Sequence, residues 1–204
     1  LGYTMVYGIA KMLNFAHGDV IMIGGYVTYI AMSSLGLPAW IAVLLSVIVC
    51  TVLGILIEKV AYRPLREAAS SLAVLIAAIG VSYLLQNVAL LIFGSAPKSF
   101  TSVVSVPALT FAGGRLTISG ETIVTIASCI VVMTALTLFI NKTKAGQAML
   151  AVSEDKGAAK LMGINVDATI ALTFAIGSGL AAIAGVLLCS AYPSLTPYTG
   201  AMPG

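Results

Sequence analysis

The sequence predicts an all-α polytopic membrane protein, and three observations carry that expectation. Hydrophobic residues make up 60% and charged residues 8% of 204 residues, with a mean hydropathy of +1.09, whereas soluble domains carry about 25% charged residues. Apolar runs long enough to cross a hydrocarbon core recur along the chain. The few charges fall between those runs, and seven of them (Lys142, Lys144, Glu154, Asp155, Lys156, Lys160 and Asp167) crowd into residues 141–168. Backbone groups in lipid are satisfied only by helices or closed barrels. Continuous apolar runs, rather than short alternating ones, select the helical bundle.

In chain order, residues 1–10 read as the last turns of a partial span. KMLNFAHGDV follows, too polar to face lipid and too short for a loop between spans. A second partial span covers 19–35, so the two together describe one broken helix near the N-terminus. A full span at about 38–57 opens on Pro38, with Trp40 near the interface. A basic loop at 58–71 carries Lys59, Arg63 and Arg66, and full spans follow at about 72–93, 122–140 and 169–191. Between the second and third lies a long connection, 94–121, where PALTF and LTIS flank a Gly-Gly turn; a small hairpin and an irregular loop are both open there. Gly177, Ala181 and Gly185 recur at i+4 in the last span and offer a face for close helix packing. The chain reads as a fragment lacking C-terminal spans, ending in the turn-like YPSLTPYTGAMPG.

Positive charge orients the bundle. The 58–71 and 141–168 loops share one side and hold seven basic residues, against Lys98 and Arg115 in 94–121, so both basic loops are expected in the cytoplasm and 94–121 outside. The net charge of +3 says little by its sign, and no nucleic-acid partner is expected. Cys50, Cys129 and Cys189 lie singly in apolar runs, and the chain has one His. No catalytic set, metal site or cofactor is therefore expected. There is no phosphate-binding G-x-x-x-x-G-K-[ST] loop, and no span is expected to carry the buried carboxylate or Arg series of a proton pump or voltage sensor. If transport is uphill, its energy comes from outside the chain.

Two stretches carry polar chemistry. Asn14, His17, Gly18 and Asp19 place an amide, an imidazole and a carboxylate beside a glycine near membrane depth. They either line a polar path at a broken helix or form an ordinary turn. In 141–168, Ser153 reads as an N-cap, Glu154 and Asp155 as first-turn acids and Gly163 as a left-handed stop, which makes a helix of about nine residues. Leu161 and Met162 would be its apolar anchor. Such a helix is too short to stand alone; it either docks on a soluble partner or rests on the membrane surface.

At these stretches the sequence resembles the branched-chain amino acid ABC transporter permeases. The resemblance is carried by GYTMVYGIAKMLNFAHGD at 2–19, EKVAYRPLR at 58–66, AAIGVSYLLQN at 77–87 and AVSEDKGAAKLMGINVDATIALTFAIGSGLAAIAGVL at 151–187. It implies a permease subunit, not itself an enzyme, of an ATP-driven importer in the bacterial inner membrane. Its implied partners are cytoplasmic ATPase subunits, a second permease (homologous or identical), a periplasmic substrate-binding protein and the lipid bilayer. The run Ala158-Ala159-Lys160-Leu161-Met162-Gly163 is similar to the coupling motif of such importers. That motif opens on Glu, and here Gly157 takes the place while Glu154 and Asp155 lie earlier. Alternating access is expected, with the 154–162 helix as lever and Asn14, His17, Gly18 and Asp19 on the path of a branched-chain amino acid. Permeases of the same scaffold for urea or amides, and a passive channel-like pore, are the alternatives.

Overall fold

The computed structural model describes residues 1–68, 71–103, 107–111 and 116–201. Helix α1, Gly2–Ala10, closes on Lys11 in the left-handed region (φ 56°). Residues 11–14 carry no regular structure, and α2, His17–Ser33, then begins. Pro38 is extended and stands at the N-cap of α3, Ala39–Ile57. The sequence reading breaks the chain into a loop at residue 58, but the helix continues. A π turn, Glu58–Tyr62, leads into α4, Arg63–Ala68, so one apolar helix runs over Ala39–Leu65. The widened turn precedes Pro64, whose ring would otherwise meet the Val60 carbonyl of a regular helix. One consequence is that Glu58, fully buried, lies inside a spanning helix, so a buried carboxylate does occur where none was expected.

Helix α5 covers Ser71–Phe93. In the long connection, β1 (Lys98–Ser99) is followed by β2 (Leu109–Phe111) and β3 (Leu116–Ile118). β2 and β3 pair antiparallel, Leu109 opposite Ile118 and Phe111 opposite Leu116; the Gly-Gly turn lies outside the described residues. Helix α6, Gly120–Lys142, is capped by Ser119, whose Oγ accepts from the Thr122 N–H. Helices α7 (Lys144–Glu154), α8 (Lys156–Leu161) and α9 (Val166–Ala191) complete the helical part. Among the described residues, four helices, Ala39–Leu65, Leu72–Phe93, Gly120–Lys142 and Val166–Ala191, are long and apolar enough to cross a membrane.

Helix α9 is the axis, and α1, α2 and α3 pack on it. The contacts are close because the residues are small. A Cβ on Gly177 would stand 2.8 Å from Val6 Cγ2 of α1, and one on Gly185 would run into the Ile21 carbonyl of α2. Ala181 between them is buried. Helices α2 and α3 are stitched by side chains reaching main-chain carbonyls: Ser46 Oγ donates to Gly24 O at 2.8 Å and Cys50 Sγ lies 3.7 Å from Val20 O. All three cysteines are free.

After α9 the chain folds back. Strand β4, Ser194–Leu195, pairs antiparallel with β1, and Leu195 is buried with Met22, Tyr26 and Phe100 in a small cluster where Tyr26 stacks on Phe93 at 4.0 Å. A 3-10 turn, Thr199–Ala201, then lies against α2, with Gly200 so near the Gly18 carbonyl that no side chain would fit. The turn-like tail keeps a turn at residues 197–198 and, over its described residues, lies back against α2.

Candidate functional site

Helix α2 starts inside the bundle, not at its edge. Asp19, in its first turn, accepts from Ser82 Oγ and, at 3.0 Å, from Gln86 Nε2, both on α5. Val20 meets Cys50 of α3, and the His17 imidazole lies against Gly2, which in turn abuts the Gly177 carbonyl of α9. Ser82, Cys50 and Gly177 all fall near the middle of their helices. The N-terminus of α2 therefore stands at mid-height in a spanning bundle, a half-helix with its positive end inside. Ala16 occupies the N-cap and no side chain caps that end. The His17 N–H already donates to the Asn14 carbonyl at 3.1 Å, and Asp19 sets a carboxylate in the first turn, where the helix dipole favours it.

The four residues singled out in the sequence gather here. Asn14 Oδ1 accepts from the Tyr62 hydroxyl at 2.8 Å, and both residues are buried. His17 lies 5.9 Å from the Tyr3 ring and lines a cavity of about 270 Å³ with Gly2, Ser128, Cys129 and Ala181. Gly18 is covered by Gly200. Asp19, 2% exposed, is fully engaged by α5. The cluster turns His17 toward the cavity and keeps Asn14, Gly18 and Asp19 engaged within the bundle. It offers no paired nucleophile and base, and among the described residues no group of His, Cys, Asp and Glu has metal-binding geometry. Sequence reasoning missed Ser82, Gln86 and Tyr62 as partners. The signal available was Gln86 in an apolar span with Ser82 one turn before it, on the same face.

The second site is the polar end formed by α7 and α8. Thr143 caps α7, its Oγ1 accepting from the Gly146 N–H at 3.0 Å, and Gly146, Met149 and Val152 form the buried face. That face carries the helix through Glu154. Ser153 is therefore helix interior, donating to the Leu150 carbonyl at 2.6 Å, and does not cap. The cap is Asp155, whose Oδ1 accepts from the Gly157 and Ala158 N–H groups at 2.7 and 3.0 Å. The expected helix of nine residues is thus a shorter one beginning at Lys156. Gly163 does end it in the left-handed region (φ 83°), with its N–H on Lys160 O and the Ile164 N–H on Ala159 O.

Helix α8 rests on Ala159, which is buried, while Glu154, Asp155, Ala158 and Lys160 face solvent. Leu161 and Met162 are 90% and 82% exposed. The expected apolar anchor is held outward, away from the rest of the chain. Two polar ties fix the frame behind it. Arg63 of α4 pairs with Asp167 in the first turn of α9 at 2.9 Å, and Lys156 Nζ donates to the carbonyl of Ala10, the last residue of α1, at 2.9 Å.

Comparison with known proteins gives a consistent picture. The family described as "Branched-chain amino acid transport system / permease component" matches residues 1–203. The high-affinity branched-chain amino acid transport system permease protein LivH of Salmonella typhimurium is 42% identical over 221 residues, covering 100% of this chain and 69% of that protein. LivH of Escherichia coli K12 is 40% identical and BraD of Pseudomonas aeruginosa 42% identical, each over 217 residues with the same coverage. No solved structure matches the chain significantly.

Proposed function

Because the chain belongs to the permease-component family of branched-chain amino acid transport systems and is an integral multi-pass inner-membrane protein, we propose that it imports branched-chain amino acids, driven by separate ATPase subunits. In this reading the polar end with α7 and α8 faces the cytoplasm, as its basic residues favour. The ATPases dock on α8, a second permease completes the translocation path, and an external binding protein supplies substrate.

The observation that carries the reading is α8 itself. A helix of this length has no stability of its own, yet it is capped by Asp155, stopped at Gly163 and seated on Ala159. It presents Leu161 and Met162 to solvent. A rigid mount under an outward apolar knob is suited to passing force between a soluble motor and the bundle. At the other end of that route, the break before α2 gathers Asn14, His17, Gly18 and Asp19. A substrate with an apolar side chain and a zwitterionic head meets only weak polar contacts there. Alternating access follows, with the α2 terminus exposed to one side and then the other.

The test uses the full-length protein and its candidate ATPase. Wild type is expected to co-purify with the ATPase, while Gly163→Pro and Glu154→Lys/Asp155→Lys insert into the membrane and lose it. Failure of wild type to bind any ATPase would move a passive pore to first place. Uptake of labelled leucine, set against urea and short amides, decides the substrate class.

A further inference from the structure

We propose that Lys156 is the tie through which α8 pulls on the half-helix site, a positioning residue for transport; the inference rests on the ATP-driven reading above. The last carbonyls of any helix lack intrahelical donors and attract a cation. At the end of α1 the Lys11 N–H turns back to Tyr7 O, and the Ala10 carbonyl is met by Lys156 Nζ, a residue 146 positions away in the chain. Lys156 is the first residue of α8 and directly follows its cap, so its main chain moves with α8 as one body.

What lies beyond Ala10 makes the contact consequential. The chain leaves α1 through the left-handed Lys11, passes Asn14, which Tyr62 holds, and enters α2 at His17. Displacing the end of α1 therefore acts on the segment that sets the mouth of the half-helix. Packing already joins the two bodies, since Met149 and Val152 of α7 are buried and α7 contacts α1. That packing resists separation as well as compression, but it acts on the side of α1. Lys156 adds a directional, charge-assisted tie to the main chain at the very end of α1. Through it Lys156 contributes to the return stroke, drawing α1 back when α8 withdraws.

The experiment reconstitutes the full-length protein with its ATPases, partner permease and binding protein in proteoliposomes, and counts amino acid taken up per ATP hydrolysed. Lys156→Met keeps the length and the packing but not the donor. It is expected to bind the ATPases and hydrolyse ATP while uptake per ATP falls about tenfold, the scale of one charge-assisted hydrogen bond. Lys156→Arg, which retains a donor, is expected to restore most of the loss. Wild-type stoichiometry in Lys156→Met, or no recovery in Lys156→Arg, overturns the tie and leaves the ATP-driven reading standing. Absence of ATP-dependent uptake in wild type overturns both. Should Lys156→Met not accumulate, Lys156→Cys alkylated with 2-bromoethylamine after assembly rebuilds an ammonium. Rescue of uptake per ATP, with wild type treated in parallel, supports the tie, and no rescue overturns it.

Discussion

Helices α6 and α9 are both long enough to span a membrane, and α6 is the more hydropathic of the two. Their fates are opposite. In the most apolar stretch of α9, 61% of the residues are buried inside the chain; in that of α6, none is. The difference lies in residue size. Helix α9 carries Gly177, Ser178, Gly179, Ala181, Ala182 and Gly185 on its contact surface, whereas α6 presents Ile126, Ile130, Val131, Met133 and Leu138 outward. Hydrocarbon is as good a solvent for leucine as a protein interior is, so apolarity does not select the inside of a membrane bundle. Close approach of backbones does.

That contrast is broken most severely at Gly185. Replacement by Leu drives a side chain into the Ile21 carbonyl and is expected to cost about 3 kcal/mol, the upper end for overpacking, read as loss of monodisperse, heat-stable protein in detergent. Tolerance of Gly185→Leu would remove size as the explanation. A smaller effect is expected at the polar clasp. Asp19→Ala strips Ser82 and Gln86 of their shared acceptor, at a cost of about 1–3 kcal/mol, seen as a lowered unfolding temperature that Asp19→Asn partly recovers. Ser46→Ala removes one hydrogen bond to an already satisfied carbonyl and is expected to cost about 0.6 kcal/mol in a bilayer. At the bottom of the scale, Ile130→Val on the outward face of α6 is expected to stay within about 0.5 kcal/mol of wild type. A larger loss there would mean that α6 faces a protein partner and not lipid.

The same contrast explains what could be read in advance. Span positions were legible because apolar length is a property of single segments: the helices over Ala39–Ile57, Ser71–Phe93, Gly120–Lys142 and Val166–Ala191 lie where the runs are. The discontinuity between α1 and α2 was legible because Asn14, His17, Gly18 and Asp19 have no place in a lipid-facing helix. Continuity of α3 past Ile57 was hidden, since Glu58 and Lys59 look like a loop until burial by neighbouring helices is known. Ser153 and Asp155 are both good caps. Choosing between them required knowing that Thr143 had already started a helix whose buried Met149 and Val152 carry it past residue 153. The partners of Asp19, and the return of Gly200 to Gly18, are set by tertiary contact alone and leave little trace in the sequence.

The exposed pair Leu161–Met162 has a consequence in binding strength. Covering both side chains is worth about 4 kcal/mol, which on its own corresponds to a dissociation constant of about a millimolar. Association also costs translational and rotational freedom, so these two residues alone hold no partner for long. A lasting complex at this end of the bundle would have to draw its tenacity from the surrounding surface, and in it the two side chains would be the part released and retaken cheaply.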